Sequence, residues 1–181
     1  MGYNNRGNAF EIAITNSNEV YKNLKIASII KRPTPVKVLR TDKTGRIILQ
    51  SVWEKKSTVD YDGVYQGRAV HFEAKSTEET TRFPLDNIKD HQFKHLDLVE
   101  SMGAICFFLI EFSKSHEIFF VPFSVIKEYV TAAQNGGRKS IPRKVFDERA
   151  YPVKTTYRAP IDYIEVIDRI LIKSDIQSPG A

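Results

Sequence analysis

Apolar and polar positions change period several times along the 181 residues, and each change marks an element. From Asn8 to Leu24, the recurrence of Phe10, Ala13, Ile14, Tyr21 and Leu24 predicts an amphipathic helix, in spite of the weak helix formers Thr15, Asn16, Ser17 and Asn18. Ile26 to Ile30 is short and β-branched and halts at Lys31-Arg32-Pro33-Thr34-Pro35, where each proline restricts itself and its predecessor. A strand or helix end followed by an extended turn is expected there. Val36–Leu39 and Ile47–Trp53 flank Thr41–Gly45, which predicts two extended arms joined by a turn, and the alternation of Thr58–Gly67 and Arg68–Lys75 predicts a second hairpin.

Farther along, Phe93, Leu96 and Val99 define one face of a helix over Asp90–Ser101, stopped by Gly103. Ala104–Phe112 and Glu117–Val121 read as strands, the first so uniformly apolar that both its faces should be buried. Helices are predicted over Phe123–Ala133 and Asp162–Ile172, with Arg138–Lys144 a basic loop between them and a frayed tail after Ser174. Neither an internal repeat nor an interdomain linker interrupts the pattern, so residues 1–181 are expected to form one domain.

Composition narrows the class. With 41% apolar and 27% charged residues the chain has the balance of an ordinary globular domain, which excludes disorder, collagen and small disulfide scaffolds. Its one cysteine, Cys106, cannot form an internal disulfide and sits in an apolar strand, where a core role is expected. Apolar runs fall short of the ~18–20 residues that span a bilayer, and Met1–Gly7 lacks the apolar stretch of a signal peptide. A cytoplasmic protein with no membrane partner is expected.

Charge is more informative in its distribution than in its sum of +5. Lys31, Arg32, Lys37, Arg40, Lys43, Arg46, Lys55 and Lys56 face only Asp42 and Glu54 within residues 31–56, so this segment holds the entire positive excess. Lys37, Arg40, Lys43 and Arg46 fall on the first hairpin and the others at its base. A polyanion contacted by a projecting basic hairpin fits this pattern, as does a merely well-solvated arm.

Candidate chemistry lies on the second hairpin. Side chains alternate along a strand, so Thr58 and Asp60 share a face on one arm, and Glu73 and Lys75 share a face on the other. A turn near Gly63–Gly67 brings Asp60 close to Glu73. Two carboxylates so placed repel unless a cation lies between them, and oxygen ligation favours a hard ion such as Mg²⁺, with the Ala74 carbonyl a further possible donor. Phosphodiester hydrolysis uses such a metal together with a lysine that holds developing charge or positions water. The bare pattern is equally that of a strand with a surface ion pair.

Several separated motifs decide between these. Asn5-Arg-Gly7 with Glu11, Lys31-Arg-Pro-Thr-Pro-Val36, Ser57-Thr-Val-Asp-Tyr-Asp-Gly63 and His71-Phe-Glu-Ala-Lys75 are followed by Phe83-Pro-Leu85, His91-Gln-Phe-Lys-His95, Gly137-Arg-Lys-Ser140 and Ile161-Asp-Tyr163. In this order, over nearly the whole chain, they resemble the RecU family of Holliday-junction resolvases. The resemblance implies an α/β, restriction-endonuclease-like fold: a mixed β-sheet flanked by helices, with a protruding basic stalk. It also implies the PD-(D/E)xK active-site plan, a homodimer, and Mg²⁺ as cofactor with Mn²⁺ as a substitute.

By motif, Asp60 and Glu73 would bind metal, Thr58 and Gln92 would complete its surroundings, Lys75 would act on the water or transition state, and Glu11 would add an acidic group. Val59 stands where the family-name pattern has proline, a departure the family also tolerates. Arg6, the basic residues of the 31–56 segment, Arg138 and Lys139 would contact DNA, and Leu39–Lys56 would be the stalk entering the four-way junction. Trp53 is either a wedge stacking on unpaired bases or a core residue at the stalk base. His71 shares the strand face of Glu73, whereas the i,i+4 pair His91 and His95 lacks a third zinc ligand. Two-fold symmetry would suit the two symmetric nicks of a resolvase, and a recombinase or branch-migration protein is a further partner the resemblance suggests. A Mg²⁺-dependent nuclease acting on other branched or single-stranded DNA, and a non-catalytic junction-binding module, are the alternatives.

Overall fold

The computed structural model describes residues 4–54 and 58–177, with side chains over 9–54 and 58–172. Helix α1 (Asn4–Asn23) leads into strand β1 (Ala27–Lys31), and the first hairpin is β2 (Val36–Thr41) and β3 (Ile48–Trp53). The second hairpin is β4 (Tyr61–Tyr65) and β5 (Arg68–Thr77), turning at Gln66-Gly67, both with positive φ (47° and 74°), the backbone of a two-residue hairpin turn. A crossover of β6 (Arg82–Pro84), a 3-10 turn and α2 (Asp90–Ser101) precedes β7 (Ile105–Phe112) and β8 (Glu117–Pro122). Then come α3 (Phe123–Gln134), β9 (Ser140–Pro142), α4 (Arg143–Arg149), β10 (Tyr151–Val153) and α5 (Tyr163–Gln177).

Six strands form a mixed sheet in the order β1-β4-β5-β7-β8-β10. Its β5–β7 pair is parallel and the other pairs are antiparallel. Strand alternation separates two cores. Val70, Phe72, Phe107 and Leu109 pack with residues of α1 and α5, including Phe10, Ile14, Tyr21, Tyr163 and Ile167. Cys106, Phe108 and Ile110 pack on the other face with Leu96, Phe123, Ile126 and Phe146 from α2, α3 and α4. Strand β7, apolar except for Glu111, is thus buried on both sides over Cys106–Ile110, and Cys106 is a core residue whose thiol burial pushes up to about 12.

Four details differ from the sequence expectation. Leu24 lies past the end of α1 and is exposed. Residues 138–144 are not a continuous loop, because Ser140–Pro142 pairs with β6, setting Ile141 against Phe83, and α4 begins at Arg143. A three-residue strand is too short to display a period. The last helix continues to Gln177, past Ser174. Finally, Ile161-Asp-Tyr163 is a structural tie: Asp162 accepts from the Tyr21 hydroxyl at 3.1 Å and from Arg158 at 2.6 and 3.0 Å, and the Tyr163 hydroxyl bonds Asn18, joining α5 to α1.

Every residue of β2 and β3 is exposed, as a hairpin standing off the body must be. Its tip is closed by Asp42, whose carboxylate accepts from the Thr44 hydroxyl and from the amides of Thr44 and Ile47. The Thr44 hydroxyl, foremost among these donors, holds the Asp42 pKa below the usual carboxylate range.

Candidate active site

Asp60 and Glu73 are brought together by register. Tyr61 pairs with Phe72 at the start of β4, so the preceding residue, Asp60, lies opposite Glu73. Thr58 and Asp60 are themselves in irregular backbone just before the strand rather than on it. Alternation on β5 sends Phe72 and Ala74 into the α1–α5 core and leaves His71, Glu73 and Lys75 on the face beneath α2.

Hydrogen bonds interlock the pair. The Asp60 amide donates to Glu73 Oε1 at 3.0 Å, and the Ala74 amide donates to Asp60 Oδ2 at 3.2 Å. Lys75 Nζ lies 2.7 Å from Glu73 Oε2 and 3.5 Å from Asp60 Oδ2. Glu73 is fully buried, and desolvation pushes its pKa up to about 9, with Lys75 opposing and the Asp60 charge reinforcing the rise. The Lys75 pKa is also raised, because the Glu73 and Asp60 carboxylates outweigh the burial that lowers it.

Gln92 on α2 completes the burial of Glu73 but makes a different connection from that expected of a metal ligand. Its Nε2 donates to Glu73 Oε2 at 2.6 Å, while its Oε1 accepts from the Lys89 amide at 3.2 Å and so serves the helix N-terminus. Thr58 is likewise engaged elsewhere, its hydroxyl accepting from Arg32 at 2.8 Å. Glu11 is not a third carboxylate in contact with the pair: it bonds Lys31 Nζ at 2.5 Å and lines, with Ala74 and Lys75, an open groove of 680 Å³. Among the described residues no group of three His, Cys, Asp or Glu side chains is placed to share one ion.

Two of the basic residues expected on DNA are paired with carboxylates of the protein itself. Lys31 meets Glu11, and Arg32 forms a fork on Asp62, with Nε to Oδ1 at 3.0 Å and Nη2 to Oδ2 at 2.8 Å. Asp62 is the residue that sequence reasoning passed over; its i+2 spacing from Asp60 was the available signal. By contrast Lys37, Arg40, Lys43 and Arg46 are exposed and enter no ion pair among the described residues. Trp53 is 74% exposed, so it is not a core tryptophan. Arg138 and Lys139 are exposed beside β9, whereas the side chain of Arg6 and the whole of Lys55 and Lys56 lie outside the described residues. His95 meets His71, with the ring nitrogens 3.3 Å apart, rather than His91.

A mixed sheet with helices on both faces thus presents an aspartate and a Glu-Ala-Lys strand, with Lys75 lining an open groove. The family model described as RecU, Recombination protein U, matches residues 5–169, and the chain belongs to that family. It is 36% identical over 172 residues to a protein of Pediococcus pentosaceus named Holliday junction resolvase RecU, covering 93% of this chain and 86% of that protein. Proteins of the same name from Geobacillus kaustophilus and Bacillus subtilis are 37% and 35% identical, covering 93% and 98% of this chain and 86% and 87% of theirs. The solved structure of Hjc from Archaeoglobus fulgidus, titled a Holliday junction resolvase, is a distant likeness, 13% identical with a TM-score of 0.43 over 79% of this chain and 88% of that one.

Proposed function

We propose that this chain is an endonuclease that resolves four-way DNA junctions by metal-dependent phosphodiester hydrolysis. The observation that carries the reading is the cluster of Asp60, Glu73 and Lys75, whose lysine lines an open groove, in a chain more than a third identical, over nearly its whole length, to proteins named Holliday junction resolvase.

Asp60 and Glu73 would hold a hard divalent cation, Mg²⁺ or in its place Mn²⁺. The donors fit such an ion: they are carboxylate oxygens, and burial pushes the Glu73 pKa up to about 9 in spite of Lys75, so a further cation would favour its charged form. When bound, the metal supplies polarisation of a phosphoryl oxygen and a more acidic water. Lys75, held by both carboxylates, presents its ammonium where negative charge develops. Gln92 holds Glu73 through its hydrogen bond, and Glu11, paired with Lys31, lines the groove along which the scissile strand would pass.

The basic hairpin is the junction-recognising element in this reading. Lys37, Arg40, Lys43 and Arg46 neutralise phosphates, and Trp53 offers a face for unpaired bases at the crossover, a contact worth ~1–3 kcal/mol per base. A homodimer is part of the same proposal, supported by the exposed Val38, Leu39, Ile48, Leu49 and Val52 on that hairpin, which a second copy would cover. Among the described residues no helix is long and apolar enough to cross a membrane, and we place the protein with DNA in the cytoplasm. A nicking assay on synthetic four-way, three-way and linear DNA, with and without Mg²⁺, tests the whole reading. Symmetric Mg²⁺-dependent nicks confined to four-way DNA are expected, and equal cleavage of linear duplex would overturn the junction selectivity.

A further inference from the structure

Arg32 joins the end of β1 to the prolines that lead into the basic hairpin, a position that suggests a phosphate contact. Its bonds point the other way. All three guanidinium nitrogens are engaged inside the protein, Nε and Nη2 on Asp62 and Nη1 on the Thr58 hydroxyl, while its backbone amide donates to the Asp60 carbonyl at 2.8 Å. Thr58 and Asp62 are the residues two before and two after Asp60, so one arginine grips the irregular segment on both sides of that aspartate and at its own carbonyl. The following Pro33 keeps Arg32 in extended backbone, which aims the amide and the side chain at the same neighbour strand.

From this bracket we infer that Arg32 and Asp62 are positioning residues for hydrolysis: their fork holds Asp60 in the register where its carboxylate meets Glu73 and Lys75. Thr58, Val59 and Asp60 precede β4, and the Arg32 amide and guanidinium bond this segment at Thr58, at the Asp60 carbonyl and at Asp62, beside the buried Val59. A planar bidentate fork supplies the geometry that a lysine ammonium cannot. The inference rests on the reading of Asp60 as a metal-binding carboxylate.

The test uses the full chain with Arg32→Ala, Arg32→Lys, Asp62→Asn and the Arg32→Ala/Asp62→Asn pair, and Asp60→Asn as reference. Single-turnover nicking of a four-way junction at saturating enzyme is followed against Mg²⁺ concentration, and junction binding without metal is followed against salt. Arg32→Ala and Asp62→Asn should each slow nicking about 10- to 100-fold and raise the Mg²⁺ needed for half-maximal rate. The paired variant should be no slower than the worse single one, because both substitutions remove the same fork. Arg32→Lys should restore neither rate nor Mg²⁺ midpoint, and the salt slope of junction affinity should match wild type throughout.

A salt slope reduced by about 1 in Arg32→Ala, with an unchanged rate at saturation, would make Arg32 a phosphate contact and overturn the inference. Should Arg32→Ala fail to fold, the nearly isosteric Asp62→Asn decides: a wild-type rate and Mg²⁺ midpoint overturn the inference, and a defect in both supports it. Full cleavage by Asp60→Asn would overturn the reading of the site itself, and this inference with it. An inactive Asp60→Asn beside a fully active Asp62→Asn overturns the inference alone.

Discussion

Glu73 carries opposing demands, since the proposed metal site needs its negative charge while its burial opposes that charge. The folded protein keeps this carboxyl protonated up to about 9, whereas an unfolded chain releases the proton near 4.5. Stability tied to the protonated form is therefore complete below 4.5 and is lost as pH climbs toward 9. Glu73→Gln removes the titration, so without divalent metal its advantage over wild type should be absent at pH 4 and reach ~1–3 kcal/mol by pH 8 in urea unfolding. Added Mg²⁺ should shrink that advantage by stabilising wild type alone. The same substitution, or Asp60→Asn, should abolish nicking and leave metal-free junction binding intact, because neither touches the exposed lysines and arginines. Lys75→Ala should lose turnover in single-turnover assays, and extra Mg²⁺ should not restore it, as a transition-state role demands.

Each hairpin can be tested as an element. Removing Thr41–Gln50, or replacing Lys43 and Arg46 with Ala, should weaken four-way junction affinity and its salt dependence while leaving Mg²⁺ binding by the body unchanged, measured by filter binding and calorimetry. Equal losses on junction and linear DNA would contradict the stalk assignment. In the other hairpin, Gly63→Ala would place a Cβ 2.0 Å from the Ser28 carbonyl and 2.6 Å from Ile29 Cα on β1, so at least ~2 kcal/mol of stability should be lost in urea. Both hairpins were readable in the sequence because alternation and turn residues agree there. The facing of Asp60 and Glu73 followed from that register even though Asp60 is not in the ladder. What could not be read was the use of donors and acceptors: Gln92 divides its amide between Glu73 and Lys89, and Thr58 serves Arg32. Such choices depend on which groups a fold brings within ~3 Å, and no period encodes them. The β6–β9 pair was hidden for a related reason, being three residues long and joined only by distant segments.

At the scale of the molecule, the proposed homodimer would tie assembly to activity through the exposed apolar residues of the basic hairpin. Leu39→Asp with Leu49→Asp should give a monomer in sedimentation velocity, one that nicks the paired strands of a junction independently instead of together. The body of each subunit should keep its fold, since those residues lie outside both cores.

The parallel seam between β5 and β7 also bears on how the protein is made. A chain leaving the ribosome from its N-terminus completes the hairpin with Asp60, Glu73 and Lys75 before the crossover and β7 exist, and Val70 and Phe72 must wait for Phe107 and Leu109. Until the seam closes, Glu73 stays wet and ionised and the hairpin has one bare edge. The proposed site is thus spelled out early in synthesis but acquires its buried, proton-holding glutamate only when the second half of the sheet docks, so a truncated nascent chain would carry the site's residues without their folded electrostatics.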